Sequence, residues 1–234
     1  YILFDFDGTV FDTVEGITKS VQYALAKRGI EAELDSLRCF AGPPLVDMFM
    51  EKFDLSQEEA EAATDDFRER YQPIGLYECR VFPGIKELLR SLIDAGLHVG
   101  IATSKPQHLA EELLEGEGML ELFEVISGSD SDGHNNSKAA VLTRAMNALG
   151  ADRKETVLVG DTKYDVAGAK ACGVECIGVR YGYAAEGELA AAGADHIVND
   201  LQQLKALLLN KEEENMFRPL RRKKNAISEE AAKE

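Results

Sequence analysis

Positive charge is scarce in this sequence. Lysine and arginine number 26 against 42 aspartates and glutamates, a formal net charge of −16 over 234 residues. A nucleic-acid binder needs a basic stripe facing phosphate, so that class is not expected. Attraction to an anionic membrane surface is not expected either. Any anionic substrate has to be handled locally, by a metal or a few cations, because the global field repels it. Paired cysteines are also missing. Cys39, Cys79, Cys172 and Cys176 form no CxxC pair and no zinc-type spacing. Free thiols are expected, which suits a reducing compartment and a cytoplasmic location. No apolar run approaches the roughly 20 residues of a membrane-spanning helix. No signal peptide and no internal repeat are visible. The first residue is a tyrosine, so the natural start is expected to lie upstream. His98, His108, His134 and His196 are scattered without ligand spacing.

What is present is a rhythm. Hydrophobic residues make up 45% of the chain, enough for a sizeable core. Short apolar runs at 1–4, 97–102, 123–127, 156–160, 174–179 and 195–199 read as buried strands. From residue 84 onward they alternate with amphipathic stretches at 84–96, 137–150 and 200–209. Ser137 is placed to cap the second of these and Gly150 to stop it. The alternation predicts an α/β fold with a parallel sheet covered on both faces. Residues 13 to about 79 break the rhythm with helices expected near 14–28, 34–40, 44–53 and 56–72. Ser56 and Glu59 have the spacing of a capping box at the start of the last. "ECRVFPG" at 78–84 reads as the return linker. The expected organisation is a core of 1–13 and 80–210, a helical insert at 14–79 and a charged tail at 211–234.

Ligands of open α/β sheets bind at the carboxyl ends of the strands. Those ends carry Asp5 and Asp7, then Thr103, Ser104 and Lys105, then Asp161 and Asp165, with Lys138 ahead of a helix. Taken singly, each acid reads as a turn or helix cap and each hydroxyl as an N-cap. Taken together they do not. Four carboxylates on one edge repel one another by several kcal/mol unless a cation neutralises them. A hard, oxygen-ligated ion such as Mg²⁺ suits such a set and also binds phosphate oxygens.

"DFDGTVFD", "IATSK", the Ser137–Lys138 pair and "GDTKYD" occur in this order along the chain. In these motifs the sequence resembles the haloacid dehalogenase-like (HAD) phosphatase superfamily, over residues 1 to about 209. The resemblance implies a doubly wound Rossmann-like core with an inserted all-helical cap domain. It also implies Mg²⁺ held by Asp5, Asp161 and the backbone carbonyl of Asp7, with Asp165 binding it through water or orienting the shell. Asp5 would be the nucleophile that forms an aspartyl-phosphate. Asp7 would protonate the leaving oxygen and then activate water. Thr103 would bond the transferring phosphoryl group, and Lys138 would offset charge on Asp5. Gly8, Thr9, Ser104, Gly42 and Arg68 are the expected substrate-binding residues. Phe40, Pro43, Pro44 and Tyr71 are further cap candidates, although ordinary helix packing explains any one of them.

An acid at Asp7 separates phosphate-ester chemistry from the dehalogenase branch of the family, which lacks it. The chain looks most like the phosphoglycolate phosphatase-like group and, within it, the 5'-nucleotidase branch. Asn135 departs from that branch, where an arginine often stands. The expected partner is a small phosphorylated metabolite, and the expected state is a monomer or weak homodimer. A phosphosugar mutase of the β-phosphoglucomutase type and a non-catalytic binding protein remain as alternatives. Loss of a motif acid would signal the latter, and none is lost.

Overall fold

The computed structural model describes residues 1–130 and 137–209. Asn135, His134 and the tail at 211–234 lie outside the described residues. The chain opens with β1 (Ile2–Phe4) and β2 (Phe11–Asp12). A helical insert follows: α1 (Val14–Ala26), a 3₁₀ helix (Leu34–Phe40), α2 (Leu45–Phe53), α3 (Gln57–Tyr71) and a 3₁₀ turn (Gly75–Tyr77). After β3 (Arg80–Val81), strands and helices alternate. They are α4 (Ile85–Asp94), β4 (Val99–Pro106), α5 (Gln107–Gly116), β5 (Val125–Ser129) and α6 (Lys138–Leu149). Then come β6 (Val157–Gly160), α7 (Lys163–Cys172), β7 (Glu175–Val179), α8 (Glu188–Ala192), β8 (His196–Val198) and α9 (Leu201–Leu209).

Six strands form one parallel sheet in the order β5-β4-β1-β6-β7-β8. Alternation along β1 shows how both faces are buried. Leu3 packs with Val141, Leu142, Val166 and Ala169 of α6 and α7. Ile2 and Phe4 belong to the opposite core, with Leu88, Leu89 and Leu204 of α4 and α9. The expected α/β doubly wound architecture is therefore the observed one. Strand order reverses direction at β1, with β4 on one side and β6 on the other. The crevice at such a switch point is where an open α/β sheet holds its ligand.

The insert follows its sequence closely, with two differences. The segment at 34–40 winds as a 3₁₀ helix rather than an α-helix. The linker at 78–84 contains β3, which pairs antiparallel with β2 through Phe11–Val81 and Asp12–Arg80. Strands of two residues are too short to show a period of two, so the sequence pattern passes over them. The two crossings between insert and core are thus laced side by side. Glu78 sits at this joint, gripped by Arg70 at 2.9 and 3.1 Å and by Lys19 at 3.0 Å. Gly16 crosses Gly75 so closely that an added Cβ would lie 1.8 Å from the Gly75 carbonyl oxygen. α3 has the expected capping box, and α6 starts at Ser137, whose hydroxyl accepts from the Ala140 N–H. Among the described residues, no helix is long and apolar enough to cross a membrane.

Candidate active site

β1 ends at Phe4, so Asp5 and Asp7 stand on the loop beyond it rather than within the strand. Alternation of strand faces therefore does not set their relation. The Asp5 N–H still donates to Val159 O at 2.8 Å, which fixes Asp5 against β6. The chain then turns tightly, with Phe6 O accepting from the N–H groups of Thr9, Val10 and Phe11. Gly8 takes φ +80°, and an added Cβ would meet Asp161 Oδ2 at 2.2 Å. The turn needs a residue without a side chain both for its backbone angle and for this approach.

Oxygen atoms of Asp5, Asp161 and Asp165 lie within 4.8 Å of one another, and all three residues are buried. The Lys138 ammonium lies 2.6 Å from Asp5 Oδ1 and 2.9 Å from Asp165 Oδ1, and it donates to Ala102 O at 3.2 Å. The two carboxylate contacts are close charge pairs but are poorly aligned as hydrogen bonds. Asp5 Oδ1 and Asp165 Oδ1 are therefore buried without a directed donor. Asp165 Oδ2 is engaged differently, accepting from the Thr162 N–H and hydroxyl at the start of α7. Asp161 accepts from Thr9 Oγ1 at 3.1 Å and from the Tyr183 N–H at 2.7 Å.

Charge in this cluster is not self-balanced. Burial, with the negative charge of Asp165 added, pushes the Asp5 carboxyl up to about 7 against the pull of Lys138. Burial also raises Asp161 well above the usual carboxylate range, helped by Asp165 and Asp5. Burial works against the Lys138 ammonium too, but Asp165 and Asp5 outweigh it and hold its pKa above the ordinary value. One lysine facing three carboxylates leaves negative charge to be neutralised. An all-oxygen donor set with two undirected buried oxygens fits a hard divalent cation such as Mg²⁺.

The side chain of Asp7 stands apart from that cluster. Its Oδ1 accepts from Thr13 Oγ1 at 2.7 Å and from Lys105 Nζ at 3.1 Å. Lys105 comes from the end of β4, where the pairing with β5 slips between Ala102 and Pro106. Such a bulge re-aims side chains. Thr103 and Lys105 are buried there, and Ser104 is exposed. Burial disfavours the charge on Lys105, yet Asp7 and Tyr71 outweigh it and raise its pKa.

Asp5, Asp7, Thr103, Ser104, Lys105 and Lys138 face a cavity of about 990 Å³ between core and insert. The insert supplies Phe40, Gly42, Pro43, Pro44, Phe67, Arg68 and Tyr71 to its walls. Gly42, at φ +109°, reaches over the core close to Thr162. Arg68 is half taken up by Asp65 at 2.9 Å on the same helix. Of the residues expected to touch substrate, Gly8 and Thr9 lie against Asp161, with Thr9 Oγ1 donating to its Oδ1. The sequence reading assigns no role to Lys105, Thr13 or Tyr183. Lys105 is signalled only by its place beside Thr103. Thr13 donates its N–H to Tyr183 Oη at 2.6 Å, which ties the loop after β7 to the mouth of the site.

A family model described as haloacid dehalogenase-like hydrolase matches residues 2–179. The chain is 41% identical over 208 residues to a 5'-nucleotidase of Pseudomonas aeruginosa, covering 88% of this chain and 94% of that one. It is 35% identical over 212 residues to a phosphoglycolate phosphatase of Cupriavidus necator, covering 88% and 92%. The crystal structure of a predicted phosphatase from Clostridium acetobutylicum superposes with a TM-score of 0.86 at 41% identity, over 89% of this chain and 97% of that one.

Proposed function

The chain belongs to the haloacid dehalogenase-like hydrolase family and is an enzyme of its phosphatase class, and we propose that it hydrolyses small phosphate monoesters through an aspartyl-phosphate on Asp5. The observation that carries this reading is that Asp5, Asp7, Thr103 and Lys138 all line one cavity. Asp161 and Asp165 lie buried beside Asp5.

In the proposed reaction a carboxylate oxygen of Asp5 attacks phosphorus. The ester P–O bond breaks, and its electron pair goes to the leaving oxygen, which takes a proton from Asp7. Asp7 then receives a proton from the water that attacks the aspartyl-phosphate, which frees phosphate and restores Asp5. Thr103 and Ser104 orient the phosphoryl group, and Lys138 offsets the charge gathered around Asp5. Asp5, Asp161, Asp165 and the Asp7 carbonyl would hold Mg²⁺, which supplies neutralising charge to the phosphoryl oxygens when bound.

Among monoesters, a 5'-nucleotide fits better than phosphoglycolate. A cavity of about 990 Å³ with Phe40, Phe67 and Pro43 in its walls offers room and apolar surface that a two-carbon acid cannot fill. The 41% identity to a 5'-nucleotidase supports the same choice. The test is phosphate release with Mg²⁺ from phosphoglycolate and a set of 5'-nucleotides side by side, with Asp5→Asn as the blank. Nucleotide turnover above phosphoglycolate, absent in Asp5→Asn, is the expected result. Phosphoglycolate preference would overturn the substrate assignment. Full activity in Asp5→Asn would remove Asp5 as nucleophile.

A further inference from the structure

We propose that Lys105 is the positioning residue for Asp7 in this reaction, and that Tyr71 of the helical insert holds Lys105 in place. The inference rests on the phosphatase reading above and adds two residues to it. Lys105 is a second buried lysine at the site, separate from Lys138. Its side chain is 3% exposed, and its Nζ lies 3.1 Å from Asp7 Oδ1 and 2.5 Å from Tyr71 Oη. The same ammonium sits 5.0 Å from the centre of the Tyr71 ring and 5.6 Å from that of Phe6. A buried ammonium is kept only where such partners meet it. Tyr71 ends α3 and stacks on Phe67 at 4.9 Å, so its hydroxyl is placed by the packing of the insert.

The pattern of contacts on Asp7 gives the arrangement its use. Both donors, Thr13 Oγ1 and Lys105 Nζ, go to Oδ1. Among the described residues, no hydrogen bond to Oδ2 accompanies them. One oxygen is clamped, which leaves the other for the leaving group in the cavity that Asp7 lines. When the ester P–O bond breaks and the new bond forms to Asp5, the proton passes from Asp7 to the leaving oxygen. A carboxyl that could swing would deliver it less often. Lys105 stops the swing, and Tyr71 makes this depend on a residue of the insert.

Leaving-group dependence tests this. An alkoxide leaving oxygen needs its proton, whereas p-nitrophenolate leaves without one. The quantity to measure is kcat/KM with Mg²⁺, which reports the first phosphoryl transfer. The substrates are p-nitrophenyl phosphate and the best alkyl ester among phosphoglycolate and the 5'-nucleotides. Lys105→Met is expected to lose at least about tenfold more on the alkyl ester than on the aryl ester. Tyr71→Phe removes a single hydroxyl and keeps the ring, so it tests the same point should Lys105→Met fail to fold. It should show the same bias at smaller size. Parallel losses on both esters, or no loss on either, would overturn this inference alone. If the unaltered chain turned over neither ester, the phosphatase reading would fall and this inference with it.

Discussion

The Lys138 ammonium meets Asp5 Oδ1 at 2.6 Å inside a pocket where three carboxylates crowd together. It is also within 2.9 Å of Asp165 Oδ1, so a single cation serves two of the three acids. That makes Lys138 structural and functional at once. Removing one partner of a buried charge pair typically costs about 3–5 kcal/mol, because the other is left uncompensated. Lys138→Met should therefore lower the melting temperature. It should also cut turnover by about 10²-fold or more, the usual scale for losing a preorganised charge. Thermal melts and phosphate release on the same preparation check both. Turnover close to that of the unaltered chain would show that Lys138 plays no part in the reaction.

Gly8 makes the metal pocket testable from the other side. An added Cβ would sit 2.2 Å from Asp161 Oδ2, and the backbone there is at φ +80°. Gly8→Ala should push the Asp161 carboxylate out of register with Asp5 and Asp165. The expected cost is about 1–3 kcal/mol of stability. More Mg²⁺ should be needed for half-maximal phosphate release. A variant with unchanged Mg²⁺ dependence would mean that Asp161 can be displaced without consequence, which contradicts its place in the cluster.

Much of this arrangement was legible in the sequence because it follows from periodicity. Apolar runs mark the strands, and Asp5 and Asp7 follow β1 while Asp161 follows β6, as that logic expects; Thr103 lies within β4, Lys138 opens α6 and Asp165 stands in the first turn of α7. What escaped depends on tertiary contact. Tyr183 reaches Thr13 from 170 residues away, and Tyr71 reaches Lys105 from 34. No local pattern encodes such pairs. The direction of Thr9 escaped for a related reason. A threonine after an Asp-Gly turn can point to ligand or back to the fold, and only the approach of β6 decides for Asp161.

Metal removal and pH are linked through the raised carboxyls. In the metal-free chain, burial and Asp165 bring Asp5 to about 7, and Asp161 is raised as well. In an unfolded chain an aspartate titrates near 3.9. Between about pH 4 and 7 the folded metal-free state therefore holds protons that the unfolded state has released. Stability then falls as pH rises through that window, since it rises with pH only where the unfolded state binds more protons. Asp66 and Glu78 have the opposite sign. Hydrogen bonds from Lys27 and Arg70 hold their pKa values low, so what they contribute is lost at more acidic pH, outside the window. Mg²⁺ should reverse the trend, because it binds the carboxylates that are costly when bare. Melting in EDTA is expected to drop by about 5 °C from pH 5 to pH 8. Added Mg²⁺ should raise the midpoint more at pH 8 than at pH 5. Asp5→Asn is the control for general acidic repulsion across a chain of net charge −16. It removes one raised carboxyl and the charge that helps raise Asp161, so its slope in EDTA should be shallower. Equal slopes for the two proteins would assign the pH dependence to the surface rather than to this cluster.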